Sequence, residues 1–135
     1  MTRKLQVGDW LPEEKFGPLE LADFVRYAGA SGDMNPLHFD RTAAQSAGYP
    51  SVFSQGMLQA GLLATSLTNW FPAESVRRFQ VRFLAQVWPG DVLTCTGAVE
   101  QILGESRVLM LTLSATRQTG EIAVSGSADV ELPLE

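Results

Sequence analysis

The chain has 135 residues, 45% of them hydrophobic and 19% charged, and a net charge of −5. At about 100 to 200 residues per domain it is expected to form one domain over residues 1–135, and its apolar content excludes a disordered chain. The acidic balance has the wrong sign for counterion-driven binding to phosphate backbones, which excludes nucleic acid as a partner.

One cysteine, Cys95, and one histidine, His38, leave no internal disulfide and no zinc cluster to build. Arg3 and Lys4 stand near the start, but no apolar run of signal-peptide length follows, so the protein is expected in the cytoplasm.

In chain order, residues 14–18 offer one short edge strand. Residues 19–30 set Leu21, Phe24, Val25 and Ala28 at spacings of three and four, the period of a helix burying one face, with Gly29 and Gly32 limiting it. Pro36 removes an amide donor and drives Asn35 out of the helical region, so residues 31–40 read as a shaped loop. Asp40 is placed to cap a short helix over residues 41–47, which Gly48 and Pro50 end.

Residues 56–70 carry an apolar or small side chain on almost every face, with Ala60, Leu63, Ala64, Leu67 and Trp70 on one stripe. Such a helix is predicted to be buried nearly all round, and Ala60, Gly61 and Ala64 would let a sheet approach closely. Gln59, Thr65 and Ser66 interrupt it, and it falls short of the ~20 apolar residues that span a bilayer, so no membrane partner is expected.

The remainder reads as strand. Residues 76–87 alternate Phe79, Val81 and Phe83 with Arg78, Gln80 and Arg82, the period of a half-buried strand. Residues 92–103, 106–116 and 121–132 follow, making four long strands in a meander with turns at Pro89-Gly90-Asp91, Gly104-Glu105 and Thr119-Gly120. The order implies an α+β fold, an antiparallel sheet wrapped around a central buried helix. One sheet around one helix leaves an edge open, and a dimer would cover it.

A proton-transfer catalyst near neutral pH is served by an unperturbed histidine, and His38 is the one candidate. Asp33 and Asp40 share its loop. In a helix a spacing of five would separate Asp33 and His38 by about 140°, so only a bent loop can bring them to one point. Gly32 and Pro36 supply that bend; a surface histidine in a capped loop is the alternative. One imidazole with two carboxylates is a weak metal set, and no metal is expected. Cys95, between Thr94 and Thr96, reads as a packed residue rather than a nucleophile. Arg77, Arg78 and Arg82 read as a solvated strand face, or as a steering patch for phosphates or an acidic carrier. Trp10, Trp70 and Trp88 read as core or interface, and the absence of nucleotide-binding fingerprints leaves no cofactor to assign.

The run Tyr27-Ala28-Gly29-Ala30-Ser31-Gly32-Asp33-Met34-Asn35-Pro36-Leu37-His38-Phe39-Asp40 resembles the signature loop of the MaoC-like, (R)-specific enoyl-thioester hydratases, also called hydratase 2. Gly48 and Gln55-Gly56-Met57-Leu58 resemble the next block of that family, and Val7-Gly8-Asp9, Val81-Arg82-Phe83 and Pro89-Gly90-Asp91 extend the likeness over nearly the whole chain. Within the family the resemblance runs toward the small dehydratase subunits of mycobacterial type II fatty acid synthesis.

The resemblance implies a single hot-dog domain and reversible hydration of trans-2-enoyl to (R)-3-hydroxyacyl thioesters of coenzyme A or acyl carrier protein, without cofactor. It implies that Asp33 and His38 are the acid/base pair and that the Gly56 amide polarises the thioester carbonyl. Asn35 matches a position that shapes the loop on the substrate side. From the residues alone, the stronger reading of Gly56 is a helix-start glycine packed against a strand. Where many relatives have a histidine before Gly-Met, this chain has Gln55. The acyl chain is expected beside Met57, Leu58 and Leu62, and the partner is expected to be a second copy or a related hot-dog subunit. A non-catalytic acyl-binding subunit and a thioesterase are the alternatives on the same fold.

Overall fold

The structure is a computed structural model that describes residues 4–105 and 107–134. Its elements in order are β1 (Glu14–Phe16), α1 (Leu21–Ser31), α2 (Arg41–Ser46), α3 (Gly56–Trp70), β2 (Val76–Phe83), β3 (Leu93–Leu103), β4 (Val108–Arg117) and β5 (Ile122–Glu131), with single 3-10 turns at Pro36–His38 and Ala73–Ser75. Ser106, the expected first residue of the third long strand, lies outside the described residues, as do Met1, Thr2, Arg3 and Glu135. No helix among the described residues is long and apolar enough to cross a membrane.

Helix α1 is entered through a capping box, with the Glu20 amide donating to Asp23 Oδ2 at 2.8 Å. It runs through Gly29, which does not end it, and closes at Gly32, whose φ of 81° suits a residue without Cβ. Phe24 and Ala28 are buried, but Leu21 and Val25 are 44% and 51% exposed, so the buried stripe is narrower than the periodicity predicts.

Helix α3 has the predicted bounds, and it contacts β2, β3, β4 and β5. Ala60, Leu63 and Leu67 are buried beneath the sheet, while Met57, Gly61, Thr65 and Asn69, four apart, form an exposed stripe. The expected all-round burial is therefore corrected: the sheet curls around one side and leaves the other open. Gln59 and Ser66 are buried, two polar residues that the apolar stripe hides.

The sheet is antiparallel throughout, in the order β1-β3-β4-β5-β2. Only β3, β4 and β5 form a meander. β2 pairs with the far side of β5 and is an edge, which corrects the expected four-strand meander. It also ends at Phe83, not at residue 87. The amides of Leu84 and Ala85 both donate to the Ala123 carbonyl, and the chain then leaves the sheet with Val87 fully buried. Residues 84–92 thus cross the end of the sheet, so Pro89-Gly90-Asp91 is no hairpin between neighbouring strands.

The core is the inner face of this sheet against α3: Leu93, Cys95 and Val99 of β3, Leu109, Leu111, Leu113 and Ala115 of β4, and Val124, Ala128 and Val130 of β5. Each fully buried large aliphatic side chain contributes about 1.5–3 kcal/mol relative to exposure. Register shifts between Val99 and Gln101, Ala115 and Thr116, and Val76 and Arg78 break the ladders where the sheet must curl. Outward positions are polar: Thr96 with Ser114, Thr112 with Glu100, and Arg78 with Asp129 and Ser127.

Two outcomes test this packing. A Cβ at Gly126 would stand 2.8 Å from the backbone oxygen of Gln80 across the β2–β5 pair. Gly126→Ala is expected to lower unfolding free energy by about 1–3 kcal/mol in urea titrations, through forced backbone shift. Burial pushes the Cys95 thiol up to about 11. Folded protein at pH 8 is therefore expected to resist thiol reagents, because the thiolate is scarce and covered, and to react at once in denaturant.

Candidate active site

The loop after α1 is held by its own short polar side chains. Ser31 Oγ donates to the Tyr27 carbonyl at 2.7 Å and accepts from the Asp33 amide at 3.1 Å. Asp33 Oδ1 accepts from the Asn35 amide at 3.3 Å, and Asn35 Oδ1 accepts from the Leu37 amide at 3.1 Å, capping the 3-10 turn that Pro36 begins. Asp40 turns away and caps α2, its Oδ1 accepting from the Ala43 amide at 3.2 Å. The bend required by the spacing is thus built, and Asp33 Oδ2 lies 3.7 Å from His38 Nε2.

Those two groups differ in environment. The Asp33 side chain is 45% exposed and that of His38 10%. His38 Nδ1 is 2.8 Å from the Phe53 carbonyl oxygen. A carbonyl oxygen only accepts, so Nδ1 carries a proton, and in the neutral ring Nε2 holds the lone pair. The Phe53 ring meets the imidazole edge to face, with centroids 5.2 Å apart at 84°. One side of His38 is therefore fixed to backbone, and the other faces a carboxylate.

Phe53 also joins this pair to α3. Gly56 is three residues on, so its amide is within about 10 Å along even a fully extended chain. As the first residue of α3, Gly56 has an amide with no carbonyl four residues back inside the helix, and it stands at the positive end of the helix dipole. The packing role also holds: a Cβ there would be 3.2 Å from two ring atoms of Phe83 on β2.

The preceding Gln55 is 1% exposed. Its Nε2 donates to the Phe24 carbonyl at 2.9 Å, strapping α1 to the start of α3, while Oε1 is buried without a hydrogen-bond partner among the described residues. Reversing the amide would set oxygen against oxygen, so the orientation follows from the contact. Ser54 completes the strap, donating from its amide to the Val87 carbonyl at 2.8 Å and from Oγ to Gln59 Oε1 at 2.6 Å.

The other residues that the sequence singles out fall elsewhere. Arg77 is paired with Glu131 and Arg78 with Asp129, so two of the three arginines of the basic cluster are already neutralised by β5. Trp10 is 73% exposed and not in the core, whereas Trp70 packs against the core and donates to the Pro12 carbonyl at 2.8 Å. A cavity of about 820 Å³ opens at the far end of α3, beside Leu5, Trp70, Phe71 and Leu132; Met57, Leu58 and Leu62 do not line it. Met57 is 60% exposed, and Leu58 and Leu62 are partly buried against the core.

The sequence reading gave Phe53, Trp88 and Asp91 no place at the site. Asp91 is 3% exposed and accepts from Arg117 Nε at 2.7 Å and Nη2 at 3.2 Å, from Gln118 at 2.7 Å and from the Trp88 amide at 2.8 Å. Burial alone would raise its pKa, but the Arg117 guanidinium and the two amides outweigh burial and hold the carboxyl below the usual carboxylate range. The only signal in the sequence was the turn Pro89-Gly90-Asp91, which marks a bend without saying what it braces.

Comparison with known proteins gives these matches. The family described as MaoC like domain matches residues 5–119. An (R)-specific enoyl-CoA hydratase of Aeromonas caviae is 33% identical over 122 residues, covering 89% of this chain and 89% of that protein. A solved structure described as the (R)-hydratase from A. caviae involved in PHA biosynthesis superposes with a TM-score of 0.85 at 28% identity, over 98% of this chain and 100% of that one. A 3-hydroxyacyl-thioester dehydratase of Mycobacterium tuberculosis is 37% identical over 66 residues, 49% of this chain and 23% of that protein.

Proposed function

The chain belongs to the MaoC-like domain family and has its hot-dog fold, and from that premise we propose that it is a hydro-lyase interconverting trans-2-enoyl and (R)-3-hydroxyacyl thioesters of coenzyme A or acyl carrier protein in the cytoplasm. The observation that carries the reading is the 3.7 Å separation of Asp33 Oδ2 and His38 Nε2 in a loop held by Asn35 and Pro36. That gap is too long for a direct hydrogen bond. A water oxygen about 2.8 Å from both atoms, off the line joining them, fits it.

In hydration the pair takes a proton from this water as its oxygen bonds to Cβ of the enoyl group, and a proton is delivered to Cα. In dehydration the pair removes the Cα proton and protonates the departing hydroxyl, which leaves as water. Either way negative charge grows on the thioester oxygen. The Gly56 amide, at a helix N-terminus and with no side chain to block approach, is the donor that stabilises it. Asn35 serves on the substrate side by holding the turn rather than by reacting. The residues in this scheme move protons and need no redox group.

The active form is a dimer, of two copies or with a related hot-dog subunit. β2 leaves one long edge unpaired among the described residues. At its end Phe83 and Leu84 are 50% and 52% exposed, and Met57, next to the Gly56 that lies against Phe83, is 60% exposed. Unpaired edges and clustered apolar surface both favour a partner.

Purified protein is expected to hydrate crotonyl-CoA, followed as loss of enoyl absorbance, and to release no thiol to a trapping reagent. Asp33→Asn and His38→Ala are each expected to lower kcat/KM by roughly 10²–10⁴ with thermal unfolding little changed. Unaltered turnover in either variant, or thiol release in place of hydration, would reject the reading. The solution mass is expected to be at least twice the 14.7 kDa of one chain.

A further inference from the structure

Whatever holds the Phe53 carbonyl sets which nitrogen of His38 faces Asp33. Two sets of contacts hold Phe53. Toward the catalytic loop its amide donates to the Leu37 carbonyl at 3.4 Å, a long bond. On the other side the next amide, of Ser54, donates to the Val87 carbonyl at 2.8 Å. The Phe53 ring is met by Trp88 at 5.8 Å and 70°, and by Tyr49 at 4.7 Å and 51°. The firmer backbone support thus comes from Val87, and Trp88 beside it adds one of the two aromatic contacts on the ring, that of Tyr49 being the closer.

That segment is anchored in turn. The Asp91 amide donates to the Trp88 carbonyl at 3.0 Å, and the Trp88 amide donates to Asp91 Oδ2 at 2.8 Å. Gly90 has a φ of 92° after Pro89, the sequence and dihedral of a type II turn. The Leu19 amide meets the Asp91 carbonyl at 2.8 Å, and the Gly90 amide meets the Leu19 carbonyl at 2.6 Å. Arg117 grips the buried Asp91 carboxylate with two nitrogens, a fork geometry that resists rotation. A continuous line of contacts therefore runs from Arg117 at the end of β4 through Asp91, Trp88 and Phe53 to His38.

We infer that Trp88, clamped by the Asp91–Arg117 pair, is a positioning residue for His38: by backing the Phe53 ring it keeps the Phe53 carbonyl on Nδ1–H and leaves Nε2 to the reacting water. The inference rests on the acid/base role proposed for His38, but its structural half does not depend on activity. Loss of one such aromatic contact is enough to shift a tautomer or rotamer balance several-fold. Its loss would spread His38 over orientations of which only one is productive.

Because His38 is the only histidine, its imidazole nitrogens are read without assignment in a long-range ¹H–¹⁵N spectrum of ¹⁵N-labelled protein. Wild type above the ring's ionisation is expected to show the Nδ1–H tautomer. In Trp88→Ala a second population with Nε2–H is expected, with kcat for crotonyl-CoA down roughly 10-fold and KM within about 2-fold, the split expected when a group acting only in the transition state is misplaced. Trp88→Phe, which keeps a flat ring, should restore the Nδ1–H tautomer and most of kcat. Asp91→Asn should fall between them. Should Trp88→Ala fail to fold, Trp88→Leu, apolar but without a flat ring, is read in the same way. A folded Ala or Leu variant with wild-type tautomer and kcat would overturn the inference, as would a Phe variant no better than Ala. A wild type inactive on enoyl thioesters whose tautomer still responds to Trp88 would instead overturn the function proposed above and leave the positioning intact.

Discussion

The hydrogen bond from His38 Nδ1 to the Phe53 carbonyl joins two pieces of chain that are fifteen residues apart, and the site's geometry depends on it. Without it, the loop after α1 would be a self-capped turn with an imidazole free to rotate. With it, the side chain is 10% exposed, its protonated nitrogen is committed to backbone, and the remaining nitrogen is turned to Asp33. The same segment leads within three residues to the start of α3. The Asp33–His38 pair and the helix N-terminus are therefore tied to one short stretch of backbone, which is how a chain with a single histidine can assemble the proposed site.

That stretch is rigid because of what surrounds it. Gln55 straps it to α1, Ser54 to Val87, and the aromatic rings of Tyr49 and Trp88 close on Phe53. Behind these stands the buried Asp91–Arg117 pair. A buried ion pair is a poor source of net stability, since desolvation offsets much of the attraction, but its fixed fork is a good source of orientation. The hydrophobic face of the sheet against α3 supplies the stability instead, and the free edge of β2 is left where a partner is proposed.

Much of this was readable in the sequence. The period-two alternation and the turn residues located the long strands, the proline and glycine placement located the bent loop, and the bounds of α3 came out at Gly56 and Trp70. Local rules suffice there because helix ends, turns and strand faces are set by residues a few positions apart. Asp40 as a cap and Asp33 beside His38 belong to the same class. The errors share a cause. Leu21 and Val25 obey the helical period yet face outward, and β2 crosses to the far edge of the sheet, because burial and strand order depend on which elements meet.

The residue pattern by itself determined the α+β elements, the bend that lets a carboxylate approach the imidazole, and the family likeness of the loop, since each is encoded within a dozen neighbouring positions. Tertiary structure alone decided the tautomer of His38, the anchoring of Gln55 and the bracing of Phe53 by Trp88 and Asp91. Those depend on a backbone carbonyl, an amide strap and a buried ion pair brought together from distant segments, and a carbonyl oxygen carries no residue identity from which its partner could be foreseen.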